Sequence, residues 1–220
     1  MEKITIGIVG SGPEGAIPDL LPYDKNIDLW IGADRGALYL LKHKLNIDYA
    51  VGDFDSVTAD EIAKIRENTK EMIRMPSEKD ETDLELAINL ACKLKPETIC
   101  LFGVTAGRKD HELINIQLLY RLLEQGITGK IIDEQNEIIM TKPGSYLITR
   151  NPEFPYISFI PFTEKVEGIH LEGFYYPLNN ADISWGSTLC ISNELSSESG
   201  NFSYRRGILL LIKSRDSFKM

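Results

Sequence analysis

An α/β domain with a mostly parallel sheet, followed by a smaller antiparallel β-sandwich, is the fold this sequence predicts. Three observations lead there. Up to about residue 130, short apolar runs alternate with stretches of helical periodicity, the pattern of βαβ units. Beyond that point helical periodicity stops, and short strands separated by turn residues take over. The length of 220 residues, 43% of them apolar, suits one large domain or two small ones with real cores.

The first half opens with a strand over 4–9, closed by Gly10 and Gly12, and a second strand over 27–31. A helix over 35–44 follows, with Leu38, Leu41 and Leu45 at helical spacing. A short strand over 49–51 ends at Gly52; 60–67 reads as helix and 72–75 as extended. Helix 84–94 carries Leu84, Ala87, Ile88 and Ala91 on one stripe. Residues 98–102 read as a buried strand, and 112–123 as a helix with Leu113, Ile116, Leu119, Tyr120 and Leu123 on one face. In the second half, strands are expected near 136–141, 145–149, 156–162, 166–174, 187–192 and 207–213. Pro143-Gly144 and Asn179-Asn180 are among the turns between them. The units so drawn are 1–133 and 134–220. The second is of a size at which buried area is marginal, so it should lean on the first or on a second subunit.

A net charge of −9 argues against a nucleic-acid binder, which normally presents a basic face. It does not exclude an anionic ligand held through a cation or backbone N–H groups. Cys92, Cys100 and Cys190 are scattered and odd in number, so reduced thiols are expected rather than a disulfide framework or a zinc site. The first residues do not read as a signal peptide, and the longest apolar run, 208–212, is too short to span a bilayer. A cytoplasmic protein without a membrane or nucleic-acid partner is the expectation.

Four acidic motifs stand at loop positions of the α/β half, where doubly wound sheets bind ligands. In Gly52-Asp53-Phe54-Asp55-Ser56, two carboxylates at i and i+2 can converge on one hard cation such as Mg²⁺. The same residues also fit an Asp-rich turn. In Glu78-Lys79-Asp80-Glu81-Thr82-Asp83, Thr82 and Glu85 fit a capping box and Asp83 a favoured first-turn charge. That explains Asp83 well and Asp80 less well; Lys79 adds a cation for a phosphate. In Gly107-Arg108-Lys109-Asp110-His111, Arg108 offers a fork for phosphate oxygens, while Asp110 also fits a helix N-cap. Gly32-Ala33-Asp34-Arg35-Gly36-Ala37 is again a strand-to-helix loop, with Asp34 as an alternative N-cap. Gly10-Ser11-Gly12 lacks the spacing of a phosphate loop. Together the motifs put Asp34, Asp53, Asp55, Asp80, Asp83 and Asp110 at the tips of one sheet, a set suited to metal-assisted phosphoryl chemistry. No nucleophilic triad stands out.

The ordered segments ADRGA, VGDFDSV, EKDETDLELAI, AGRKDHELINIQLL and GSTLCISNEL resemble the bacterial thiamine pyrophosphokinases over nearly the whole chain. That resemblance implies an ATP-binding catalytic α/β domain, a thiamine-binding β-sandwich, and Mg²⁺-dependent transfer of pyrophosphate from ATP to thiamine, releasing AMP. It implies that Asp53, Asp55 and Asp83 manage the metal and phosphates, that Asp110 completes the catalytic cluster, and that Ser192 and Asn193 help bind thiamine. Asp34, Asp80 and Arg108 are expected beside the ATP phosphates. A homodimer with a site between subunits is implied as well. Arg35 stands where many members have a second glycine. Two rival functions remain: a pyrophosphokinase for another alcohol, such as a hydroxymethylpterin, and a non-catalytic nucleotide sensor. Bare carboxylates repel phosphates unless a metal intervenes, which weighs against the sensor.

Overall fold

The structure is a computed structural model and describes residues 3–76, 78 and 80–216. It divides into two compact units, Met1–Glu134 and Gln135–Met220.

The first unit runs β1 (Thr5–Val9), α1 (Leu21–Asp24), β2 (Leu29–Ala33), α2 (Gly36–Lys42), β3 (Ile47–Gly52), α3 (Ala59–Asn68), β4 (Thr69–Arg74), α4 (Asp83–Lys93), β5 (Thr98–Phe102), α5 (Lys109–Glu124) and β6 (Thr128–Ile132). The strands pair in parallel in the order β4-β3-β2-β1-β5-β6. Successive strand residues point to opposite faces. Val9, Trp30, Ile47 and Phe102 therefore join Ala37 and Leu40 of α2 in one buried cluster. Ile6, Ile8, Ile31 and Leu101 fall to the other face and are equally buried. A parallel sheet needs both faces covered, and the near-continuous apolar runs reflect that.

Helix α4 buries the stripe its sequence predicts: Leu84, Ala87, Ile88 and Ala91. Helix α5 does not. Its buried side is Asn115, Leu118, Leu119 and Leu122, and Leu113 and Tyr120 face solvent. The reason is a close approach to β6: a Cβ at Gly129 would come within 2.8 Å of Leu119 and Leu122. The helix settles on the strand where there is no side chain. Helix α3 carries a full capping box, Thr58 with Glu61. At α4 the expected box is half formed: Thr82 caps the Glu85 N–H, but the Glu85 carboxylate pairs with Arg121.

The second unit contains β7 (Asn136–Thr141), β8 (Gly144–Thr149), β9 (Tyr156–Pro161), β10 (Lys165–Glu172), β11 (Leu178–Ser184), β12 (Ser199–Tyr204) and β13 (Leu209–Ser214). All pair antiparallel, as β7-β13-β9 and β11-β10-β12-β8. Phe159, Leu209 and Leu211 of the first set share a core with Val166, Ile169, Ile183 and Phe202 of the second, which makes a sandwich. Residues 187–192 form turns rather than the expected strand; β11 and β12 take its place. The three cysteines are free. Burial pushes the Cys190 thiol up to about 11, so it serves packing. Among the described residues no helix is long and apolar enough to cross a membrane.

Candidate active site

The strand order turns around between β1 and β5, and there the carboxyl ends of the parallel strands open into a crevice. Gly10-Ser11-Gly12 follows β1 and the 103–107 loop follows β5. Gly10 donates to the Phe102 carbonyl and Gly12 to that of Gly103, both at 2.8 Å. A Cβ at Gly12 would lie 2.5 Å from the Gly103 oxygen, so only glycine lets the two loops join this closely. The glycines that match no phosphate-loop spacing thus have a packing role and also floor a cavity of about 890 Å³.

Asp34 reaches this cavity because β2 and β3 are adjacent and in register, Ala33 opposite Val51. One residue further, the Asp34 N–H donates to the Val51 carbonyl at 2.9 Å. The loop after β2 is thereby pinned against the loop after β3. In that second loop Phe54, at φ 60°, is 1% exposed and anchors in the core. Its burial leaves Asp53 and Asp55 on either side of an apolar peg, and the Asp55 N–H closes the turn on Asp53 Oδ1 at 3.0 Å. The result is a convergence: one carboxylate oxygen from each of Asp34, Asp53 and Asp55 lies within 4.8 Å of the others.

Asp34 is not an N-cap. It is 7% exposed, and its Oδ2 accepts from the Ser56 hydroxyl at 2.6 Å and the Ser11 hydroxyl at 3.3 Å. Its Oδ1 is buried without a hydrogen-bond partner. A buried, unpaired carboxylate oxygen beside two more carboxylates is costly unless a cation supplies the missing partner. All-oxygen donors of this kind fit a hard divalent cation such as Mg²⁺, so the residues suit that metal.

The remaining predicted residues distribute as follows. Asp83 lines the same cavity, as do Glu81 and Thr82, but lies outside the three-carboxylate group. Asp80 is exposed and is not among the residues lining the cavity; Lys79 lies outside the described residues. Arg108 and His111 line it from the start of α5. Arg108 grips Asp110 through Nη2–Oδ2 at 2.6 Å and Nε–Oδ1 at 3.2 Å. This partner, chiefly, holds the Asp110 carboxyl below its ordinary range. Asp110 is therefore ionised and a weak base, better suited to orienting a group than to taking its proton.

Asn115 was not singled out by the sequence motifs, yet its amide donates to the Val104 carbonyl at 2.8 Å and steadies the 103–107 loop. Thr105 does the same by donating to buried Asp133 at 2.8 Å. An amide in line with Leu118, Leu119 and Leu122 is the signal that would have found Asn115.

In the second unit, Ser192 and Asn193 follow the turns after β11. The Asn193 side chain is 3% exposed. Its Oδ1 accepts from the Tyr176 and Glu194 N–H groups at 3.0 and 2.9 Å, and its Nδ2 donates to the Tyr176 carbonyl at 2.9 Å. It thus fixes both backbone groups of Tyr176. The Tyr175 and Tyr176 rings meet edge-on at 5.0 Å and are both exposed, as is Trp185. Ser192 sits at φ 53°, its N–H donating to the Ser158 hydroxyl at 3.0 Å.

Residues 21–131 match the family model described as thiamin pyrophosphokinase, catalytic domain; residues 145–209 match that of the vitamin B1 binding domain. The chain is similar to thiamine pyrophosphokinase of Bacillus subtilis (strain 168), 47% identical over 212 residues, 96% of this chain and 99% of that one. The crystal structure of the Bacillus subtilis thiamine pyrophosphokinase matches at a TM-score of 0.91, covering 97% of this chain and 100% of that one. The structure of the Geobacillus thermodenitrificans thiamin pyrophosphokinase matches at 0.88 and 41% identity, covering 99% and 100%. With both family models in chain order and a relative of this identity along nearly its full length, the chain belongs to the thiamin pyrophosphokinase family.

Proposed function

We propose that this chain is a thiamine pyrophosphokinase that moves the terminal pyrophosphate of ATP to the hydroxyl of thiamine, giving thiamine diphosphate and AMP. Family membership supports the reaction, and the observation that carries the mechanism is the convergence of Asp34, Asp53 and Asp55, two of which, Asp34 and Asp55, line the cavity. These three carboxylates would hold Mg²⁺, and Asp83, which lines the cavity from the start of α4, would add a carboxylate on the phosphate side. A cation held there would supply charge neutralisation for the phosphates. Asp34 and Arg108 line the cavity, and Arg108 would offer its guanidinium to the ATP phosphates, whereas Asp80, outside the lining, is left without a part in this reading. Asp110, ionised and tied to Arg108, orients the thiamine hydroxyl for in-line attack on the β-phosphorus. Catalysis of this kind comes mainly from positioning and charge neutralisation. The 145–209 segment supplies the thiamine side through Ser192 and Asn193, the latter by holding Tyr176 in place. The nucleotide released with thiamine as acceptor is the direct test of the reaction class: AMP for pyrophosphoryl transfer, ADP for single phosphoryl transfer.

The working form is a cytoplasmic homodimer whose site is shared between subunits, a reading supported by the small size of the second unit and its exposed Tyr175, Tyr176 and Trp185. Subunit mixing tests it. One variant is inactivated by Asp110→Ala, another by Ser192→Ala with Asn193→Ala, and the two are refolded together in equal amounts. With a shared site, half the dimers are mixed and each has one site free of lesions, so about a quarter of wild-type activity returns. No recovery, with mixed dimers confirmed by mass, contradicts the shared site and leaves the reaction untouched.

A further inference from the structure

Three side chains latch the loops after β2 and β3, and only one of them belongs to the acidic set. The Ser56 hydroxyl donates to Asp34 Oδ2 at 2.6 Å, and the Arg35 guanidinium donates back across the same gap to the Ser56 carbonyl at 2.8 Å. We propose that Ser56 is a positioning residue of the carboxylate cluster: it occupies one oxygen of Asp34 and thereby turns the other toward the cation. This rests on the metal reading given above.

The geometry favours Ser56 over its neighbours for that task. Asp34 sits at φ 49°, a left-handed backbone that aspartate tolerates, so its Cα–Cβ direction is fixed and the side-chain torsions that aim the carboxylate are left to be set by its contacts. The Ser56 contact has the short length of a charge-assisted O–H···O⁻ bond. Ser11 has a single hydroxyl proton and two acceptors in reach, the Ala33 carbonyl at 3.2 Å and Asp34 Oδ2 at 3.3 Å, so its hold on Asp34 is long and divided. The other Asp34 oxygen is buried and has no protein partner. One lobe satisfied by a hydroxyl and one left for a cation is how outer-shell groups orient carboxylate ligands. Arg35 makes the latch reciprocal: it holds the backbone of the residue that holds Asp34.

The test is uptake of Mn²⁺ alone, followed by electron paramagnetic resonance of the free ion, for the wild-type chain, Ser56→Ala and Ser56→Thr. Ser56→Ala weakens Mn²⁺ binding about ten- to a hundredfold, and Ser56→Thr, which keeps the hydroxyl, restores it to within about threefold. In turnover, Ser56→Ala raises the Mg²⁺ concentration for half-maximal rate by a similar factor. A merely structural role would lower the melting temperature and kcat without moving the metal dependence, and that pattern overturns the proposal. Equal Mn²⁺ affinity in wild type and Ser56→Ala also overturns it. A wild-type chain that takes up no Mn²⁺ removes the metal reading itself, a failure distinct from that of Ser56.

Discussion

Replacing Asp53 or Asp55 by asparagine lowers turnover by about a hundredfold or more, because prearranged charge is usually the largest catalytic term at such sites. The folded state is not weakened by the change. Asp53→Asn keeps an oxygen to accept the Asp55 N–H, and Phe54, the residue that anchors the loop, is untouched. Removing one of three crowded carboxylates also relieves like-charge repulsion in the metal-free chain. The two readouts are therefore expected to separate: a collapse of rate at saturating ATP, and an unchanged or higher melting temperature without metal. Near-native turnover at limiting Mg²⁺ would return the motif to an ordinary Asp-rich turn.

The largest effect on stability is expected at Gly36. It is the first residue of α2, and a Cβ there would lie 1.8 Å from the Val9 carbonyl oxygen and 2.5 Å from its carbon. Both are backbone atoms at the end of β1, so no side chain can swing away. Gly36→Ala must push α2 off the sheet, with a cost of about 3 kcal/mol or more. Asp34 and Arg35 lie immediately before this helix, so the surviving folded fraction should also bind Mn²⁺ poorly. Gly15→Ala is the control: nothing lies within 4 Å of its Cβ, and the change stays within about 0.5 kcal/mol. Denaturant unfolding of the two variants side by side checks the contrast. A Gly36→Ala chain as stable as Gly15→Ala would contradict the packing of α2 on β1.

The sequence was most legible where one element decides its own fate. The stripe on α4 and the alternating βαβ rhythm follow from periodicity alone, and burial agrees with both. It was least legible where a neighbour decides. Helix α5 offers apolar residues on several sides, and Gly129 of β6 selects the face. Strand β11 begins Leu178-Asn179-Asn180, a turn signal, and Asn180 has φ 53° beside a break in the pairing register with β10. Strand β12, SGNFSY, shows few apolar residues beyond Phe202 and Tyr204. Leu189-Cys190-Ile191 looks like a strand core, yet only Cys190 is buried. In the site, Asp53 and Asp55 are visible as a pair because their spacing is local. That Asp34 meets them depends on the register of β2 against β3, and that Ser56 and Asn193 act on other residues depends on hydrogen bonds no spacing reveals.

The measurement that bears most directly on the chain's function is the fate of ATP when thiamine and a hydroxymethylpterin compete as acceptors. Purified chain is incubated with ATP, Mg²⁺ and equal amounts of the two alcohols, and nucleotides and phosphorylated products are separated by anion-exchange chromatography. The expected result is AMP and thiamine diphosphate in equal amounts, with the pterin unchanged. ADP in place of AMP, diphosphorylated pterin in place of thiamine diphosphate, or bound nucleotide with no release at all would each contradict a thiamine pyrophosphokinase.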